Sequence, residues 1–207
     1  MNLQKLSRMT IAFFLFLLPP LSSAIDTSTP AAVVDELHAA LLATMKKARE
    51  LGYTGRYKAL SPVINKLFDF PSIAKTVLGR YWSKLDSHQQ ALFIDTFTKL
   101  SIATYASRFD GFSGEQFKHI SDEPLKGGRM LVRTELIKSN GEAVRLDYVL
   151  HQTAGRWLII NVIADGVSDL ALKRADYTAI LKDQGFDALI ATLNKKIAQY
   201  ETPGKSG

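Results

Sequence analysis

The sequence predicts an α+β protein in which helices flank a small, mainly antiparallel sheet. Two changes of period carry that reading. Apolar residues recur at helical spacing from position 31 to about 109, alternate with polar ones from about 115 to 164, and return to helical spacing after Gly166. A third observation, Ser139-Asn140-Gly141 between two alternating runs, marks a hairpin, because Asn-Gly accepts the positive φ of a tight turn.

The chain opens with MNLQKLSR, which holds Lys5 and Arg8 and no acid, followed by the apolar run Met9 to Leu18. That run is about ten residues, whereas a helix needs roughly 20 to cross a bilayer. Pro19 and Pro20 break it, and Ser22-Ser23-Ala24 offers the small residues of a cleavage site. Residues 1–24 are therefore expected to be a signal peptide removed after Ala24. Residues 25–207 are then a single domain, large enough to enclose a cavity as well as a core.

Each element follows from its pattern. After a linker from Ile25 to Pro30, Val34, Leu37, Leu41, Leu42 and Met45 predict a helix from Ala31 to about Leu51, ended by Gly52. Tyr57 to Gly79 reads as two short helices broken at Pro71, with Ser61-Pro62 as an N-cap and first-turn proline. Ser87 and Gln90 fit a capping box opening a helix to Phe109. About four strands follow. They are Glu115 to Asp122, Met130 to Lys138, Ala143 to His151 and Trp157 to Ala164, the last apolar on both faces and so expected to be covered on both. Two helices close the chain, one carrying Leu170 to Leu181 and one from about Asp187 to Tyr200.

Composition excludes several function classes. There is no cysteine, so a disulfide scaffold is ruled out. Loss of Lys5 and Arg8 lowers the formal charge from +6 to +4, and the remaining cations are interspersed with acids, which argues against a nucleic-acid surface. His38, His88, His119 and His151 fall on different elements, so neither a metal site nor a cofactor is expected. Gly111-Phe112-Ser113-Gly114 misses the spacing of a nucleophile elbow by one residue, and Ser168 and Asp169 read as helix-start residues. An acid in an apolar pocket could work on a terpenoid or steroid-like lipid, but alternation puts Asp147 on the face opposite Tyr148, beside Arg145, as a surface charge pair.

Four segments together resemble the MlaC family, also described as toluene-tolerance auxiliary proteins, which are periplasmic lipid carriers of Gram-negative bacteria. They are FDFPSIAKTVLGRYW (Phe68 to Trp82), F-x3-F-x2-L with TYA (Phe93 to Ala106), RLDYVLHQTAGRWLIINVIADGVSDL (Arg145 to Leu170) and KRADYTAIL-x3-GFDALI (Lys173 to Ile190). The stretch GVSDLALKRADY is most similar to the hopanoid-associated HpnM branch, and Asn161 and Asp165 depart from the pattern of the phospholipid shuttle.

The resemblance implies a twisted sheet wrapped by helices, an apolar cavity between them, and a hopanoid or phospholipid as cargo. It also implies membrane-embedded transporter complexes of the inner and outer membranes as partners, for which Arg80, Lys84, Arg108, Lys173 and Arg174 are candidate contacts. Such a carrier has a physical reason to exist. Exposing about 30 methylenes to water costs on the order of 20 kcal/mol at about 0.8 each, so lipids do not cross an aqueous gap unescorted. The residues expected to line the cavity are Val77, Leu78, Trp82, Phe93, Phe97, Leu146, Tyr148, Trp157, Ile160 and Val162.

Overall fold

The computed structural model describes residues Thr29–Glu201; the expected signal segment, its cleavage site and the tail from Thr202 lie outside the described residues. The order is α1 (Pro30–Lys46), α2 (Ala48–Leu67), α3 (Phe70–Leu78), a 3-10 turn (Gly79–Lys84) and α4 (Ser87–Arg108). Then come β1 (Gln116–Leu125), β2 (Arg129–Ile137), β3 (Ala143–Thr153), β4 (Arg156–Ala164), β5 (Val167–Ser168), α5 (Asp169–Asp183) and α6 (Gly185–Glu201). The α+β architecture is the one the periodicity predicts, with a fifth, two-residue strand added.

Local chemistry sets the helix boundaries, with some corrections to the sequence reading. Thr29 caps α1, its hydroxyl accepting from Ala32 N–H at 3.2 Å, and Pro30 occupies the first turn, where its missing donor costs nothing. The first helix ends at Lys46 with Lys47 as its C-cap, well before Gly52, which itself breaks α2 with φ of +58°. Pro62 does not start a helix; it lies inside α2. An interior proline costs roughly 3 kcal/mol, but full burial of Leu60, Ile64 and Leu67, at roughly 1.5–3 kcal/mol each, outweighs that. The capping box of α4 sits one residue early. Asp86 accepts from Gln89 N–H at 2.8 Å and Gln89 accepts from Asp86 N–H at 3.2 Å, while Gln90 instead donates to the carbonyls of Trp82 and Leu85.

The sheet is antiparallel in the order β1-β2-β3-β4-β5. The β2–β3 hairpin turns at Asn140-Gly141, where Gly141 has φ of +84° and Lys138 N–H donates to Glu142 O at 2.8 Å. Two bulges matter. Ile120 is the extra residue on β1, and Ile160 is the extra residue on β4, because Val149 pairs with Asn161 and Leu150 with Ile159. The second bulge reverses the alternation of β4, so Val162 and Ala164 share a face with Trp157 and Ile159. Only Ile159 is fully buried, so the strand is not covered on both faces as expected.

One face of the sheet carries the helices. Val132, Tyr148, Leu150 and Ile159 from the strands join Val33, Leu37 and Leu41 of α1, Leu60, Ile64 and Leu67 of α2, and Val77 and Leu78 of α3 in one core. The other face carries charge: Arg133 holds Glu123 through two bonds of 2.6 and 3.0 Å and reaches Asp147 at 3.1 Å.

Candidate functional site

The helix-bearing face of the sheet is filled at one end and hollow at the other. Beyond Tyr148 a cavity of about 580 Å³ opens between β2–β4 and the α3–α5 layer, inside the roughly 300–1,000 Å³ range typical of ligand pockets. Its floor is the run of same-face strand residues Leu136, Val144, Leu146, Tyr148, Val162 and Ala164, joined by the bulged Ile160. Register brings them together: Leu136 pairs with Val144, Tyr148 with Val162 and Leu146 with Ala164.

The opposite wall is aromatic. Phe68 and Phe70 flank Asp69, whose carboxylate caps α3 by accepting from Ser72 N–H at 3.0 Å and is held by His151 at 2.8 Å. This anchoring fixes the two rings, 5.7 Å apart, against Tyr105 and Phe97 of α4, with Phe109 stacked on Tyr105 at 5.8 Å. Met45 and Ile73 complete the wall.

Polar atoms are sparse inside and gathered at the mouth. Tyr148 is bonded to His38 at 3.1 Å, and His38 is stacked on Phe117 at 3.8 Å. Burial pushes the His38 pKa down from 6.5 to about 3, so this pair is neutral. Burial also pushes the hydroxyls of Tyr105 and Tyr148 up. Tyr105 is partly buried and lines the cavity. The mouth is built from the end of α4, the 109–115 loop, the end of β2 and the start of α5, and carries Arg108, Asp110, Glu115, Lys138, Asp169 and Lys173. Lys138 pairs with Glu142 at 3.0 Å and Lys173 with Asp169. Arg108 has no ion-pair partner among the described residues.

A model of the MlaC protein family matches residues 35–195. The chain belongs to the MlaC family. Among its relatives is the toluene tolerance protein ttg2D of Pseudomonas putida, 24% identical over an alignment of 170 residues that covers 79% of this chain and 78% of the relative. Among solved structures, the phospholipid-binding protein of Ralstonia solanacearum, determined with a phospholipid, superposes with a TM-score of 0.73 at 22% identity. It covers 83% of this chain and 98% of the other. At that identity the likeness shows a shared fold.

Within this MlaC-family fold the expected lining residues divide. Phe97, Leu146, Tyr148, Ile160 and Val162 line the cavity. Val77, Leu78 and Phe93 are fully buried in the core, while Trp82, in the 3-10 turn, and Trp157, at the start of β4, pack on its edge. Sequence reasoning passed over Phe68, Phe70, Tyr105, Phe109, Leu136 and Val144 as lining residues. The last two share the dry face that alternation identifies, and the first two sit in the first of the family segments. Ser168 caps α5, accepting from Ala171 N–H at 3.1 Å, as its place before Asp169 suggests. Asp147 is only 3% exposed, more deeply buried than a surface pair, with Arg133 and Arg145 both against one carboxylate oxygen. It lies on the face away from the cavity. Among the described residues no three His, Asp or Glu side chains gather as a metal site requires, and no helix is long and apolar enough to cross a membrane.

Proposed function

We propose that this protein is a periplasmic lipid carrier, exported by residues 1–24 and folded as one domain over 25–207, which holds a hopanoid or a phospholipid by its apolar part and moves it between membranes. The observation that carries this reading is the cavity: an apolar floor and aromatic wall that leave a 580 Å³ hollow open to solvent, with charged residues confined to its mouth. Tails inserted there leave water while the head group stays at the rim, where Arg108 is free to meet a phosphate. Two supports bear on cargo. The Ralstonia solanacearum structure holds a phospholipid, and the GVSDLALKRADY stretch, which forms β5 and the start of α5, resembles the hopanoid-associated branch. The carrier is not an enzyme in this reading, because Asp147 faces away from the cavity, and exchange with the two membranes runs through transporter complexes embedded in them.

Native mass spectrometry of protein purified from its own host, followed by identification of the extracted lipid, tests cargo and carriage together. A bound, chemically unaltered hopanoid or phospholipid is expected, and absence of any extractable lipid overturns the reading. Val162→Asp or Leu146→Asp should abolish the bound lipid in a folded protein; unchanged lipid content removes these residues from the site.

A further inference from the structure

Helix α5 has two flanks. Leu170 and Lys173 border the lipid cavity, whereas Arg174, Ala175, Thr178, Ala179 and Lys182, at three- and four-residue spacing, line a separate surface cleft of about 390 Å³. The far wall of that cleft is the 3-10 turn, contributing Gly79, Arg80 and Tyr81. We propose that this cleft is a second ligand site, one that takes a phosphate group.

The first argument is charge. Arg80, Arg174 and Lys182 line the cleft and Lys84 stands beside it, yet no carboxylate is among the lining residues. None of these four cations has an ion-pair partner among the described residues. Asp176 and Asp183 belong to α5 but do not line the cleft. Four like charges brought together without counter-charge repel one another, and an anion seated among them removes that cost.

The second argument is placement. The Tyr81 ring carries the guanidinium of Arg80 at 5.3 Å and the ammonium of Lys84 at 5.6 Å, so neither cation is left to wander in solvent. Arg174 lies against the backbone of Gly79. A side chain there would put its Cβ 3.1 Å from Arg174 Nη2, and φ at Gly79 is +53°, so glycine both shapes the turn and admits the guanidinium. Two guanidinium forks and an ammonium around a concave cleft match the three acceptor oxygens of a phosphate better than the extended surface of an acidic protein.

A phosphate can arrive free in solution or on an anionic lipid, and the two sources separate experimentally. The purified protein is titrated with inorganic phosphate while amide resonances of Gly79, Arg80, Ala175 and Thr178 are followed. In parallel it is co-sedimented at low salt with phosphatidylcholine vesicles with and without phosphatidylglycerol, and challenged with polyglutamate. Arg80→Ala/Arg174→Ala/Lys182→Ala should weaken whichever phosphate source binds by on the order of 100-fold, since each cation near an anionic surface contributes roughly fivefold. Removing the same charge at exposed Lys58, Lys118 and Lys126 should leave binding unchanged. If the triple variant does not fold, Lys182→Glu alone, a change of two charges, should weaken that binding by roughly 25-fold. Cleft-dependent binding of phosphate alone assigns the free anion, and cleft-dependent binding of the phosphatidylglycerol vesicles alone assigns the lipid. Polyglutamate bound in preference to both, equal losses in the control variant, or no binding at all overturns the proposal. None of these readouts depends on what occupies the cavity.

Discussion

Phe93 and Phe97 stand one turn apart on α4, stacked with centroids 5.7 Å apart, and yet they belong to two different environments. Phe93 is wholly enclosed by the core, whereas Phe97 has one edge on the cavity. The strands repeat the contrast. Val132, Leu150 and Ile159 are fully buried, while Leu136, Val144 and Val162, a few residues along the same strands, are half-buried around a hollow. The residue classes are the same at both ends; what differs is the element opposite. Residues of α1, α2 and α3 pack over the filled end, whereas at the hollow end Met45, Ile73, Phe97 and the rings of Phe68, Phe70, Tyr105 and Phe109 border the cavity opposite the strands. Apolar surface left wet costs roughly 25 cal/mol per Å². A fold that keeps such surface open gives up stability, which a ligand bound by its apolar part would restore.

The largest effect should come from the filled end. Phe93→Ala removes a fully enclosed ring and should destabilise the protein by about 3–5 kcal/mol in chemical denaturation; a loss under about 1 kcal/mol would mean that the two ends are packed alike. The next concerns the buried pair on which the hollow ends. The pKa of His38 lies near 3 when folded against 6.5 when unfolded, so between those values the unfolded chain binds the proton and the folded one does not. Its contribution to stability is complete above pH 6.5 and declines as pH falls toward 3, by about 1.4 kcal/mol per unit. The wild type should be steeper than His38→Gln by that amount between pH 6.5 and about 5, above the range in which the carboxylates titrate, and urea midpoints compared across that window provide the measurement.

How much of this was legible in the sequence depends on what a pattern can encode. Periodicity reports which way a side chain faces, so the change from helix to strand and back, and the shared face of Leu146 and Tyr148, could be read directly. It does not report whether the element opposite fills the space. Phe93, Val77 and Phe97 lie on similar apolar stripes, and only the packed structure separates core from cavity. The bulge at Ile160 is likewise silent in the sequence, since a run with apolar residues on both faces has no clear alternation to break. Pro62 misled because local geometry was overridden by burial of Leu60, Ile64 and Leu67, and β5 was missed because two residues are too short for a period.

The comparison also extends through the sheet, where Asp147 sits back to back with the cavity floor. One of its oxygens is bonded to Arg133 and the other, Oδ1, is buried with no hydrogen-bond partner among the described residues. Asp147→Asn loses the charge pair but relieves a poorly solvated carboxylate, and Arg133 keeps its two bonds to Glu123. Stability should change by about 1 kcal/mol or less, and the lipid content of purified protein should be unaltered. Loss of lipid in this variant would mean that the two faces are coupled.

The smallest effect on the empty protein is expected at the hollow end, and it is the one that distinguishes a cavity from a defect. Leu146→Ala removes methyl groups that already border open space, so the delipidated variant should lose about 1 kcal/mol or less, within the range of ordinary surface changes. The loaded protein behaves differently. A ligand that binds only the folded state adds stability that grows with its concentration relative to Kd, and each lost methylene contact weakens that binding by up to roughly 0.8 kcal/mol. Delipidation should therefore lower the denaturation midpoint of the wild type by more than that of Leu146→Ala. At Ile159→Ala, in the filled end, the full loss of about 2–5 kcal/mol should appear with or without lipid. Equal behaviour of the two variants in both states would mean that no ligand touches the floor, because only a ligand can make the same strand face matter more when loaded than when empty.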